Sequence, residues 1–385
     1  MKNNRTFLEK LLDGAEVEWK PLIKVASLTR GRVISKEYLA DNLGDYPVYS
    51  SQTVNNGEIG KINSFDFDGE FVSWTTDGAN AGTVFYRSGK FSITNVCGLI
   101  KIQNNLELNY KFLFYWLSIE AKNHVYSGMG NPKLMSHQME KILIPIPPLS
   151  VQTEIVKILD ALTALTSELT SELILRRKQY EYYREKLLSF DSLEQLNMGG
   201  AKKKLIDVAI YAKVRILADK LDKENYVGVE NLLQNKLGKT SSNYVPTDGA
   251  FIEYLPNDIL IGNIRPYLRK IWLSDRKGGT NGDVLVIRLT DENILPRYLY
   301  HILANEHFFE YNVKYSKGAK MPRGDKAAIL QYEFDVPPLE EQHRIVSILD
   351  KFETLTNSIT EGLPLAIEQS QKRYEYYREL LLNFS

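Results

Sequence analysis

The sequence predicts an α+β protein built from two tandem, pseudo-twofold copies of one unit, each a mixed α/β globular head followed by a long α-helix, with the two helices pairing as an antiparallel coiled coil. Three observations carry this. The chain matches itself over most of its length, the first part of each copy holds strand-like runs between turn residues, and the second part changes to a helical period.

The self-match sets the architecture, so it comes first. PPL occurs at 147–149 and again at 337–339, an offset of 190 that also carries Gln152 to Gln342, Ile158-Leu159-Asp160 to Ile348-Leu349-Asp350, Pro132 to Pro322 and Gly128 to Gly318. Upstream, Leu22-Ile23 and Val25-Ala26 answer Leu205-Ile206 and Val208-Ala209 at 183, and Thr94-Asn95 answers Thr280-Asn281 at 186. RKQYEYYREKLLSF at 177–190 answers QKRYEYYRELLLNF at 371–384. The segments that follow are a first head at 1–149, a first helical spacer at 150–190, a linker at 191–203, a second head at 204–338 and a second helical spacer at 339–385.

Within the heads, GEFVSW, GTVFYR and CGLIKI, then DILIG, RKIWLS and DVLVIRL, are short β-rich runs bounded by Gly, Asn and Asp, the pattern of strands and turns. Helical stretches follow near LNYKFLFYWLSIEAKNHV and PRYLYHILANEHFFEYN.

After PPL the apolar residues fall at 155, 158, 162, 165, 169, 173, 180, 183, 187 and 190, broken only by Arg176. This 4-3 spacing is that of a coiled-coil stripe. The seam is expected to use Ile155, Ile158, Leu162, Leu169, Tyr180, Tyr183 and Leu187 on the first helix, and Ile345, Ile348, Leu355, Tyr374, Tyr377 and Leu381 on the second. YEYYRE is thus first a packing element, with a partner-binding surface as the second reading. The offset grows from 190 at ILD to 194 at YEYYRE. Four extra residues are about one helical turn, so the stripe can resume on the same face. Glu361-Gly362-Leu363-Pro364 predicts a kink or break there. Each helix of roughly 40 residues would be about 60 Å long, and a paired rod with a head at each end is the expected product.

Composition bounds the function. The chain has 385 residues, 43% hydrophobic and 25% charged, with 48 basic and 48 acidic side chains. That is a globular composition with material for more than one core. Any attraction to a polyanion must be local. A single cysteine, Cys97, in an apolar run reads as core and fits a reducing cytoplasm. No window reaches the 18 apolar residues of a membrane span, so a cytoplasmic protein is expected.

Motifs for chemistry are weak. Gly238-Lys239-Thr240 has Leu233 where a phosphate loop needs its first glycine. The five histidines form no metal-ligand spacing with one another or with Cys97. Asn263-Ile264-Arg265-Pro266-Tyr267 lacks the first proline of an amino-methyltransferase motif, and Glu18-Trp19-Lys20 is too short a nuclease pattern to carry weight. No catalytic residue, cofactor or metal site is assigned to this chain.

The paired segments ILIPIPPLSVQTEIVKILDAL and YEFDVPPLEEQHRIVSILDKF, the two YEYYRE stretches and WTTDGANAGTVFYRSGKFSITNVCGLIKI resemble the specificity subunit of type I restriction-modification systems, over essentially the whole chain. The resemblance implies a non-catalytic reader of double-stranded DNA. Each head would be a target recognition domain for one half of a bipartite asymmetric target, and the paired helices would set the spacer between halves. Its partners would be methylation subunits, two of them, which bind S-adenosylmethionine, and restriction subunits, which use ATP and Mg²⁺. A coiled-coil scaffold tethering two ligand-binding domains that never touch DNA is the alternative.

Base reading needs Arg or Lys for guanine and Asn or Gln for adenine, with further basic groups on phosphates. On that ground the candidates in the first head are Arg30, Arg32, Thr75, Thr76, Asn80, Lys133 and His137. In the second they are Asn263, Arg265, Tyr267, Arg269, Lys270, Lys320 and Arg323. Each taken alone reads more readily as a solvated surface group or turn former than as a direct contact. Gly128–Lys133 and Gly318–Arg323 are stronger as a pair, because both copies place a glycine-containing basic loop just before PPL.

Overall fold

The computed structural model describes residues 6–128, 130–189, 201–358 and 360–384. The chain divides into two compact units, Met1–Glu168 with Glu368–Ser385, and Leu169–Ile367. The division cuts through both helical segments, so each unit holds one head and a stretch of each.

In unit 1 the head is built on a six-stranded sheet. Its order is Ala26–Arg30, Cys97–Ile102, Phe67–Thr75, Val84–Ile93, Leu43–Tyr49, Glu58–Ile62. Phe67–Thr75 lies between two antiparallel neighbours, and its last five residues are all buried. Helix Tyr110–Glu120 starts where the Asn109 side chain accepts from the amides of Lys111 and Phe112, a standard N-cap. It brings Phe112, Leu113 and Leu117 into one core with Val72, Trp74 and Ile100. Cys97 is buried in a second cluster with Phe71 and Phe91.

Unit 2 has, besides a two-stranded pair, two four-stranded sheets, Ala209–Tyr211/Val284–Leu289/Ile259–Gly262/Ile271–Leu273 and Arg215–Leu217/Ala250–Tyr254/Gly278–Thr280/Tyr226–Val227. Helices Pro296–Leu303 and Glu306–Lys314 supply Tyr298, Leu299, Phe308 and Phe309 to the core. The heads therefore differ in sheet layout although they occupy the same place in the repeat.

What the units share is the frame around the heads. The strand opening each copy pairs antiparallel with the strand before PPL: Glu18 faces Ile146 in unit 1, and Ala201 faces Val336 in unit 2. The segment read as a linker at 191–203 is thus partly strand, since Ala201–Lys204 is β; residues 191–200 lie outside those described.

The repeated glutamine explains the PPL motif. Gln152 and Gln342 are each 0% exposed. Gln152 donates to Glu107 O and Pro147 O, both at 2.8 Å, and accepts from the Asn109 amide at 2.9 Å. Gln342 donates to Asn293 O at 2.9 Å and Pro337 O at 2.8 Å, and accepts from the Leu295 amide at 2.9 Å. One carboxamide thereby ties the first turn of the long helix to the loop that starts the head's own helix. The prolines just before the helix carry no N–H that would need a partner there, and Pro148 O and Pro338 O accept the first helical bonds.

Two turns on, the repeated aspartate makes a second clamp. Asp160 accepts from Lys111 Nζ at 2.5 Å and Tyr115 Oη at 2.7 Å. Asp350 accepts from Arg297 Nε at 2.8 Å and lies 2.8 Å from His301 Nε2. Lys111 and Arg297, like Tyr115 and His301, differ by 186, so the two copies use different side chains for one geometry. Among the described residues His301, Asp350 and Glu353 are the group with metal-ligand spacing. Arg297 donates to both carboxylates, which fills the place of a cation.

His301 is 0% exposed. Its burial pushes the imidazole below its ordinary range, against the opposing hydrogen bond to Asp350. Burial raises the Asp350 carboxyl, but the bonds from His301 and Arg297 outweigh this and hold it below the usual carboxylate range. The unfolded chain therefore binds a proton at the histidine before the folded one does, and stability falls as pH drops below about 6.5. The Asp350 contribution persists until far lower pH. Thermal melts from pH 7.5 to 5.5 should show a falling Tm that flattens in His301→Gln; an equally steep fall in the variant would place the titration elsewhere.

Helix Leu149–Leu187 pairs antiparallel with the C-terminal segment inside each unit. In unit 1, Val151, Ile155, Val156 and Leu159 share a core with Leu381 and Leu382, with Ile158, Tyr374 and Tyr377 packed against it. Thr166 meets Ser370 at 2.9 Å. In unit 2, Tyr180 and Tyr183 stack on Phe352 at 6.0 and 5.7 Å. Arg177 donates to Thr356 O at 3.3 Å, and Tyr180 and Leu187 join Ile345 and Leu349. Leu162, Leu169, Ile348 and Leu355 are half-buried. The second segment is two helices, Leu339–Asn357 and Leu363–Leu381. Gly362 turns the chain between them at φ 83°, where a Cβ would lie 2.5 Å from Thr354 O.

Candidate nucleic-acid interface

Both units build the same small ribbon from segments far apart in sequence. In unit 1, the Leu134 amide donates to Thr76 O and the Gly78 amide to Pro132 O, each at 3.0 Å, while Tyr126 and Lys133 exchange two backbone bonds at 2.9 and 3.0 Å. In unit 2, the Gly324 amide donates to Asn263 O at 3.1 Å and the Arg265 amide to Pro322 O at 2.8 Å, while Lys317 and Arg323 exchange two bonds at 2.8 Å. Lys133 and Arg323 are thus the middle residues of matched three-segment ribbons, and both side chains are exposed.

The ribbons also share a backbone conformation. Gly78 has φ 89° and its counterpart Arg265 has φ 56°. Glycine adopts this region freely, whereas a residue with a Cβ pays for it. Arg265 is exposed at this position, as are Tyr267, at 51%, and Lys320.

Other candidate residues are placed differently. Thr75 and Thr76 are 0% exposed, with hydroxyls that find no partner. They sit where the central strand is covered on both faces, so as placed they cannot touch a duplex. Asn263 is likewise interior, 5% exposed, beneath the unit 2 ribbon. For these three the expected base contact gives way to a supporting position. Arg30 is half-buried and donates to Asn95 O at 2.6 Å; Arg32 is paired with Asp66 at 2.9 Å. Arg269 is paired with Glu306, and Lys270 donates to Val229 O at 2.6 Å, its burial lowering the pKa. Arg323 reaches Asp283 at 3.3 Å, an exposed pair of little strength. His137 is exposed next to the unit 1 ribbon. Asn80 is half-buried and donates to Ser51 O at 2.9 Å. That bond brings up the 50–57 loop, which sequence reading passed over despite its Asn55-Asn56-Gly57 turn signal.

Among the described residues no helix is long and apolar enough to cross a membrane. Two heads carrying matched exposed basic ribbons, each tied to its long helix by an equivalent buried glutamine, define a duplicated two-head protein.

The chain belongs to the family of type I restriction modification DNA specificity domains, which match it twice, at residues 16–176 and 199–369. It is 41% identical over 408 residues to a putative type I restriction enzyme specificity subunit of Haemophilus influenzae, covering 100% of both chains. A type I restriction enzyme specificity subunit of Escherichia coli is 32% identical over 98% of this chain and 97% of its own. The fold matches the crystal structure of a type I restriction-modification S subunit from M. genitalium with a TM-score of 0.60 at 16% identity, covering 99% of this chain and 96% of that one. A chain from a structure of type I system assembly matches at 0.55 and 14% identity, covering 96% and 98%.

Proposed function

We propose that this chain is the DNA-reading subunit of a type I restriction-modification complex and carries out no catalysis itself. Each head reads one half of a bipartite asymmetric target, and the paired helices set the spacer between the halves and dock methylation subunits. S-adenosylmethionine, ATP and Mg²⁺ then belong to the methylation and restriction subunits. The observation that carries this reading is the pair of matched ribbons, which put an exposed Lys133 and an exposed Arg323 at equivalent points of two different heads. A cation held on a rigid backbone element is suited to a phosphate contact.

The helices support the docking role. Tyr182 and Tyr376 occupy the same place in the two YEYYRE segments and are 57% and 62% exposed. Each lies edge-on to the next tyrosine at 5.4 Å. A repeated exposed aromatic suits two copies of one partner, since aromatic anchors carry much of an interface's energy.

The test is co-purification with a methylation subunit, followed by duplex binding and native mass measurement. Two methylation subunits per chain are expected, falling to one in Tyr182→Ala, with binding that weakens steeply as salt rises. Deleting four residues around the helix break should change the preferred half-site spacing and leave the half-site sequences alone. An assembly indifferent to duplex DNA would favour the tethering scaffold instead, and altered half-site bases would remove the helices as the ruler.

A further inference from the structure

Beside the ribbon of unit 1 stands a turn, Val54–Gly57, with a costly backbone. Asn55 (φ 51°, ψ 42°), Asn56 (φ 53°, ψ 27°) and Gly57 (φ 82°) are three consecutive left-handed residues. Asparagine tolerates that region better than most residues with a Cβ, but a run of two is uncommon.

The turn is held from below by a buried cation. Arg87 is 3% exposed. It donates from Nη1 to Asn56 O at 2.8 Å and from Nε to Ser73 Oγ at 3.0 Å, and its guanidinium lies 3.6 Å from the Tyr49 ring centroid and 4.4 Å from that of Phe85. Desolvation pulls its pKa down to about 10, which leaves it charged at neutral pH. Burying a charge is expensive, and here it braces an exposed turn that contributes little to the core. The Ser50 amide closes the loop on Gly57 O at 2.9 Å, and Gln52 donates to Glu58 O. The bond from Asn80 to Ser51 O fixes the loop against the 77–82 segment that forms the ribbon. Both Asn55 and Asn56 are exposed. Two exposed carboxamides on a braced support suit a base edge: a carboxamide can donate to adenine N7 and accept from its N6 amine.

We propose that Asn55 and Asn56 read adenine in the half-site bound by the first head. This rests on the DNA-reading assignment above and adds residues to it. The experiment uses the full chain assembled with its methylation subunits, as wild type and as Asn55→Gly and Asn56→Gly. Glycine removes the carboxamide and keeps the left-handed backbone, so Tm should hold or rise. Competition is measured at fixed salt on duplexes carrying single base-pair substitutions through both half-sites.

The expected result is a loss of discrimination by about 5- to 150-fold at one or two A·T pairs of the first half-site, with the second half-site read as before and the salt slope unchanged. Variants that keep full discrimination at every pair would overturn the proposal. So would a uniform loss of affinity with a shallower salt slope, which would mark a phosphate contact. A wild-type assembly that discriminates at no pair would overturn the DNA-reading assignment itself, and the variants play no part in that outcome.

Discussion

Gln342→Ala should destabilise unit 2 by about 3–4 kcal/mol, and Gln152→Ala should do the same to unit 1. Each substitution removes a fully buried carboxamide that makes three hydrogen bonds. A net bond contributes about 1 kcal/mol, and a buried group left without a partner costs about 1–3 kcal/mol. Here two carbonyls and an amide are stranded at the junction of head and helix. Glutamate is no remedy, because a carboxylate cannot donate to the two carbonyls and places an anion against them. Urea denaturation of the full chain measures the effect; a loss under about 1 kcal/mol would show that water replaces the carboxamide without penalty.

Reversing charge at both ribbons, Lys133→Glu with Arg323→Glu, should weaken duplex binding by about two orders of magnitude near 0.1 M salt. If each cation neutralises one phosphate, the slope of log K against log salt should fall by about 0.9 per contact. The loss should be similar on every duplex sequence, since phosphates carry no base information. Both side chains are exposed, their ribbons are closed by backbone bonds, and the one side-chain pair lost, Arg323 with Asp283, is exposed and weak, so the fold should survive. Titrations from 50 to 200 mM salt decide it: an unchanged slope would remove Lys133 and Arg323 from the interface.

The duplication, the helical period and the break near Glu361–Pro364 were legible because each is written in local order or in self-comparison. The head boundaries were less so: residues 201–203 read as the end of the linker, yet they belong to the strand Ala201–Lys204 because Glu333–Val336 offers it a partner. The roles of Gln152 and Asp160 were invisible for a related reason. Their spacing showed that they recur, but apart from Pro147 their partners lie 43 to 49 residues away, in and just before a helix whose rotation about its axis the pattern does not fix.

Of the site, the basic loops before PPL could be found by pairing the copies. Residue type alone could not tell the buried Thr75, Thr76 and Asn263 from the exposed Arg265 and Lys320, since all lie at strand ends or in loops. The Asn55-Asn56-Gly57 turn is written locally, but the sequence does not show that Arg87, 31 residues from Asn56, braces it.

The glutamine junction has a consequence for how such chains diversify. All three of its bonds go to main-chain groups, at Glu107, Pro147 and Asn109 in one unit and at Asn293, Pro337 and Leu295 in the other. A socket that recognises only peptide groups accepts any insert presenting a helix start at that spot, whatever its side chains. At this junction an exchanged head needs only to offer the same main-chain groups, whereas at the aspartate it must bring its own donors, as Lys111 and Tyr115 do in one unit and Arg297 and His301 in the other.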